Sequence, residues 1–193
     1  MLGIFLDTET NGLNPFYHHV FEIAFKIVDF STGEVRESYQ SIIHQGKEIW
    51  EESDPVSLQV NGFTYEKLSK GQKKEIVAQE IIHLFQQNKI QRASSVFICQ
   101  NPSFDRAFFS QLITPELQES LYWPYYWLDL ASMYWVISIQ KGRKDPSFFP
   151  WVTGFSKDQI ATTYHLPNEP TPHKAMNGVE HLILCYKNVV GFT

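Results

Sequence analysis

The chain has 193 residues, a length that suits one domain spanning 1–193. Its 43% hydrophobic and 19% charged residues exclude a disordered chain, and no apolar run approaches the roughly 18 residues a membrane span needs. The net charge of −5, from 16 basic and 21 acidic residues, excludes a long basic track for polyphosphate, so a nucleic-acid partner would be gripped over a short stretch or with metal ions supplying positive charge.

The start, Met1 to Leu6, lacks a basic n-region, so no secretory leader and no membrane attachment are expected. Gly3–Thr10 reads as a short buried strand, apolar through Ile4, Phe5 and Leu6 and polar from Asp7. Asn11-Gly12-Leu13-Asn14-Pro15 follows as a turn. Val20–Phe30 and Glu34–Ile43 read as strands joined at Ser31-Thr32-Gly33 into a hairpin. Asp54-Pro55 has the form of a helix start, and Lys73–Gln87 places Ile76, Val77, Ile81, Leu84 and Phe85 at amphipathic helical spacing.

Val96–Cys99 is a short, fully apolar strand of the kind found inside a two-sided sheet. Ser103 is the expected cap of a helix running through Phe104, Ala107, Phe108 and Leu112. A further helix is expected over Leu130–Ile139, a loop over Lys141–Phe155, and closing helices over Ser156–Tyr164 and Lys174–Val189. Strands interleaved with helices in this way indicate an α/β domain with a central sheet covered on both faces, and the early hairpin makes that sheet mixed. Cys99 and Cys185 both sit in apolar runs, which suits buried thiols in a reducing, cytoplasmic setting. Aromatics reach 15%, enough for a well-filled core or for stacking on bases.

Three short motifs carry chemistry. In Asp7-Thr8-Glu9 the acids stand at i and i+2 of a strand, on one face, and repel unless a hard cation lies between them. In Gln100-Asn101-Pro102-Ser103-Phe104-Asp105, Asp105 falls in the first turn of the helix leaving the apolar strand, where an acid also simply favours the helix N-terminus. In His173-Lys174-Ala175, a histidine arrives on a proline-rich approach (Pro167, Pro170, Pro172) at the mouth of the last helix, either a structural or solvated side chain or, with the three carboxylates, a candidate to take a proton from water.

Together these motifs resemble those of the DEDDh 3′–5′ exonucleases, the group of the bacterial polymerase III proofreading subunit, ribonuclease T and oligoribonuclease. The resemblance runs through Asp7–Leu13, Gln100–Asp105 and His173–Gly178, with smaller agreements at Glu22-Ile23, Asn61–Thr64 and Asp129-Leu130. It implies a ribonuclease H-like fold with a mixed central sheet and helices on both faces. It also implies hydrolysis of single-stranded DNA or RNA from the 3′ end with two divalent metal ions, Mg²⁺ or Mn²⁺, stabilising the attacking and leaving oxygens. By the same resemblance Asp7, Glu9 and Asp105 are metal ligands, and His173 deprotonates the attacking water. Thr10, Leu13, Asn101 and Phe104 lie where substrate is held. Relatives are often dimers, so a homodimer is among the expected partners, with the run Tyr122–Trp127 as interface, lid or plain core.

One position departs from the group. A fourth carboxylate is expected five residues after the histidine, and the chain has Gly178 there. Asn177 and Glu180 point about 100° and 200° away on a helix, and His181 lies one turn deeper, so no neighbour is an obvious replacement. Three outcomes are open: a slow exonuclease with an impaired site, a protein that binds nucleic acid or a protein partner without cutting, or a single change in an otherwise active chain.

Overall fold

The computed structural model describes residues 1–192. Its centre is β1 (Leu2–Thr10), which pairs antiparallel with β2 (Val20–Asp29) on one side and parallel with β4 (Ser95–Cys99) on the other. β3 (Val35–Ile42) extends the hairpin and β5 (Trp127–Asp129) lies beyond β4, giving the mixed order β3-β2-β1-β4-β5. The fold is the ribonuclease H-like α/β sheet that the sequence leads one to expect.

The two-residue period of β1 sorts its side chains between two cores. Ile4 and Leu6 pack with Val77, Ile81 and Phe85 of α4 (Lys74–Gln87) and with Phe108 and Phe109 of α5 (Pro102–Leu112). Phe5 faces the other way, into a core built with Tyr134 of α7 (Leu130–Gly142), Ile160 of α9 (Lys157–Thr163) and Val179, Leu182 and Cys185 of α10 (Ala175–Val189). The same alternation sends Asp7 and Glu9 toward α10, and Thr8 toward α5. Cys99 and Cys185 are buried free thiols.

β4 pairs with β1 only as far as Phe5, so β1 runs on past its parallel neighbour with its last residues open to one side. The antiparallel ladder to β2 shifts register between Glu9 and Thr10, a bulge that bends the strand end where the acids stand. Ligands of open α/β sheets gather at these carboxyl ends.

Several local expectations change. The N-cap of α5 is Asn101, in a left-handed conformation with φ 57°, and Ser103 stands inside the first turn with its Oγ donating to Asn101 Oδ1 at 2.7 Å. Pro102 accounts for this, since its fixed φ and missing N–H fit the first helical position. The short helices α1 (Lys47–Glu51), α3 (Tyr65–Ser69), α6 (Pro115–Ser120) and α8 (Pro150–Thr153) and the three-residue β5 carry too few turns to show a period. Lys141–Phe155 is therefore not a plain loop: α7 extends to Gly142, and a 3₁₀ turn at Pro146–Phe148 precedes α8. The run Tyr122–Trp127 divides by burial, with Trp123 in the core, Trp127 stacked on Phe97 at 4.0 Å, and Tyr122, Tyr125 and Tyr126 exposed.

Candidate active site

Asp7 and Glu9 stand at the end of β1 on the α10 side, as their i, i+2 spacing requires. Asp105 approaches from the first turn of α5 on the opposite side, where its Oδ1 accepts from the Thr8 backbone N–H at 3.0 Å and from Thr8 Oγ1 at 2.8 Å. Thr8, which lies between the two acids of the first motif in sequence, thus anchors Asp105. The helix carrying position 178 is fixed by Glu22 of β2, a buried residue paired in register with Glu9, whose Oε2 accepts from the Ala175 N–H at 2.8 Å. Its other oxygen accepts from Gln40 at 2.7 Å.

His173 is held by its backbone, donating to Val60 O at 3.0 Å on α2 (Pro55–Asn61). Next to it, Lys174 Nζ donates to Asn61 O at 2.5 Å and lies over the Phe63 ring at 3.8 Å. Asn61 itself donates to Thr10 O at 2.9 Å. Gly62, at φ 60°, closes α2 in the left-handed region that favours glycine, so the Asn61–Thr64 turn ties the end of β1 to the histidine loop.

Position 178 is not an open gap. A Cβ there would come within 2.5 Å of the Asp7 carboxyl carbon, so the Asp7 carboxylate occupies the space a side chain would need. Two residues that the sequence did not point to complete the site. Lys157, the first residue of α9, donates from Nζ to Asp7 Oδ1 at 3.0 Å and pairs with Glu169 Oε2 at 3.0 Å, and it reaches Gly178 O at 3.5 Å. Glu169, on the loop between α9 and α10, lies with its Oε1 3.8 Å from His173 Nδ1 and its Oε2 3.8 Å from His181 Nδ1. His181 therefore stands under Glu169, and Glu180 points outward to Lys26 at 2.6 Å. Neither Glu180 nor His181 thus turns toward the place of the missing carboxylate, and the groups that stand beside position 178 are a cation and a carboxylate from α9 and its following loop. The only sequence sign was the Ser156–Gln159 capping box that starts α9 beside them.

Four carboxylates around one ammonium set the electrostatics. Burial raises Asp7 above the ordinary carboxylate value, with Lys157 opposing it. Glu9 is pushed up to about 8, by burial first and then by Asp7, Glu169 and Glu22. Burial and the Asp7 charge raise Asp105 well above its usual range against the two Thr8 hydrogen bonds. Glu169 goes the other way: burial opposes its charge, but His181 and Lys157 outweigh that and hold it at about 2.

Among the described residues, one group of three side chains brings its ligand-type atoms within 4.8 Å of one another: Glu9, Glu169 and His173. Two carboxylates and an imidazole form a donor set that fits a divalent cation, and Glu169 Oε1 is buried without a hydrogen-bond partner. Asp7 and Asp105 lie outside that group, one paired with Lys157 and the other bonded to Thr8. Beside Glu9 opens a cleft of about 210 Å³ lined also by Thr10, Leu13, Val60, Asn61 and Phe104. It gathers three of the four residues expected to hold substrate. Asn101 is not in its lining, its N–H being spent on Asp129 Oδ1 at 3.0 Å and its side chain on Ser103.

The family model described as Exonuclease matches residues 4–183. The chain belongs to this exonuclease family. No curated protein matches it in sequence. Among solved structures, this exonuclease domain is similar to E. coli exonuclease I in complex with a dT13 oligonucleotide, with a TM-score of 0.70 and 17% identity over 97% of this chain and 40% of that one. It is also similar to a full-length 3′-exonuclease (TM-score 0.69, 12% identity, 95% and 58% covered). A third is the cell-death related nuclease CRN-4 (TM-score 0.70, 12% identity, 96% and 62% covered). The chain spans about two fifths to three fifths of these neighbours, and at such identities the likeness shows the fold. Exonucleases of this family generally use divalent metals, in keeping with the acidic group around Glu9. No helix among the described residues is long and apolar enough to cross a membrane.

Proposed function

We propose that this exonuclease-family chain is a divalent-metal-dependent nuclease that hydrolyses phosphodiester bonds from the 3′ end of single-stranded DNA or RNA. The observation that carries the reading is that Glu9 belongs at once to the metal-type donor group and to the lining of the apolar cleft. A terminal nucleotide seated in that cleft has its base against Leu13, Val60 and Phe104, and its phosphate beside the carboxylates. Glu9 and the carboxylates around it would hold the metal, which supplies Lewis-acid charge stabilisation and a water of lowered pKa. Thr10, fixed at the strand end by Asn61, orients the terminal sugar and phosphate. His173, at the rim with its imidazole about one-third exposed, takes the proton of the attacking water. The solved neighbours described with a dT13 oligonucleotide and as a 3′-exonuclease support the strand type and the polarity.

The test is trimming of a 5′-labelled single-stranded oligonucleotide in Mg²⁺ and then Mn²⁺. The expected result is a ladder shortening from the 3′ end, abolished by chelator, by Glu9→Gln and by a 3′-terminal block. Full-length substrate under every condition overturns the reading. A second reading, a protein that holds 3′ ends without cutting, is favoured by one observation: Lys157 neutralises Asp7 where a metal ligand is expected. Gel-shift binding of the same oligonucleotide without shortening would be its mark.

A further inference from the structure

The family pattern calls for a carboxylate at position 178, where this chain has glycine, and two side chains from elsewhere in the fold stand beside that position. Lys157 Nζ sits between Asp7 Oδ1 and Glu169 Oε2, 3.0 Å from each, with Gly178 O at 3.5 Å. Its side chain and that of Asp7 are each 15% exposed, so the ion pair is formed largely out of water. Glu169 turns its second oxygen away from the lysine. That oxygen, on a side chain only 3% exposed, has no hydrogen-bond partner and faces the space shared with Glu9 and His173. A buried carboxylate oxygen left bare is costly, and beside Glu9 and His173 it marks a place for a positive partner; the two ring nitrogens of His181, on the other side of Glu169, are likewise without a hydrogen bond.

We propose that Lys157 and Glu169 together replace the absent carboxylate at 178: Glu169 and Glu9 hold a single divalent cation beside His173, and the Lys157 ammonium is a resident positive charge in place of a second ion. The glycine is part of the same arrangement, because any side chain at 178 would overlap the Asp7 carboxylate that Lys157 holds. The site is thus a one-ion variant of the two-ion arrangement that the sequence motifs imply, with the second charge supplied covalently by the chain. This rests on reading the site as metal-dependent, but it concerns binding and can fail separately.

The experiment is Mn²⁺ titration of the intact chain by isothermal calorimetry and by the loss of free-ion electron paramagnetic resonance signal. One Mn²⁺ per chain is expected. Glu169→Gln, which keeps the shape of the side chain, is expected to weaken that binding about tenfold or more. Glu180→Gln, at the exposed pair with Lys26, leaves it unchanged. Lys157→Met, checked for folding by circular dichroism, releases Asp7 and is expected to admit a second ion. Two ions in the unmodified chain, no Mn²⁺ binding at all, or wild-type affinity in Glu169→Gln each overturns the proposal. One bound ion with no trimming of oligonucleotide leaves the proposal standing and removes the proposed activity instead.

Discussion

The Asp7 carboxylate fills the volume that a side chain on residue 178 would take, and its Oδ1 is held there by Lys157. The glycine and the aspartate are therefore a fitted pair. Restoring an acid at 178 is not a simple repair in this chain, because the newcomer and Asp7 compete for one place beside one ammonium.

Gly178→Ala tests the fit directly. The added methyl meets the carboxyl group of Asp7, whose short side chain is pinned by Lys157, so the expected cost is about 1–3 kcal/mol of overpacking. For a chain of this size that lowers the melting temperature by roughly 2–12 °C, readable by scanning calorimetry. An unchanged melting temperature would show that Asp7 has room to swing aside.

Lys157→Met leaves Asp7 and Glu169 buried without their common cation. The expected loss, in chelator, is on the order of 3–5 kcal/mol when both carboxylates are ionised. The loss shrinks at low pH, where protonation removes the uncompensated charge. Urea unfolding at two pH values gives the difference, and equal losses at both would place the effect in packing rather than charge.

Glu9 predicts a pH dependence of definite sign. Its carboxyl is held near 8 in the folded chain against an ordinary 4.5, so the folded state keeps a proton that the unfolded state has released. The stability this contributes is full below about 4.5, falls as pH rises toward 8, and is gone above it, with a slope of up to about 1.4 kcal/mol per pH unit. Glu169, depressed to about 2, acts with the opposite sign and only between about 2 and 4.5. In chelator, Glu9→Gln should flatten the decline between pH 5 and 8. An undiminished slope in that variant would assign the decline to other groups.

Glu22→Ala removes the acceptor of the Ala175 N–H at the start of α10 and leaves Gln40 without its partner. One buried N–H left unsatisfied costs about 1–3 kcal/mol. Amide hydrogen exchange at Ala175 should accelerate in this variant before exchange in the middle of α10 does. Uniform exchange along the helix would argue against a local role for Glu22.

The sheet and its two cores were legible in the sequence because β1, β2 and β4 carry apolar runs bounded by turn or polar residues and α4, α5 and α10 are long enough to show a period. Asp7, Glu9 and Asp105 were legible through their places at strand and helix ends. Lys157 and Glu169 were not, because neither belongs to a motif. They meet Asp7 only once α9 and its following loop fold back over the end of β1, a contact across 150 residues for Lys157 and Asp7. The cap of α5 differs from the expected serine for a local reason: Pro102 takes the first helical position, which leaves the cap to Asn101 before it.

Val60 has two duties. Its side chain forms part of the cleft wall, and its carbonyl accepts the backbone N–H of His173. One residue further on, Asn61 grips both the end of β1 and the lysine that follows the histidine. The wall and His173 therefore share one short support. Under the proposed function, a terminal nucleotide pressing on that wall would shift the imidazole with it, and seating of the substrate and placement of the base would be coupled.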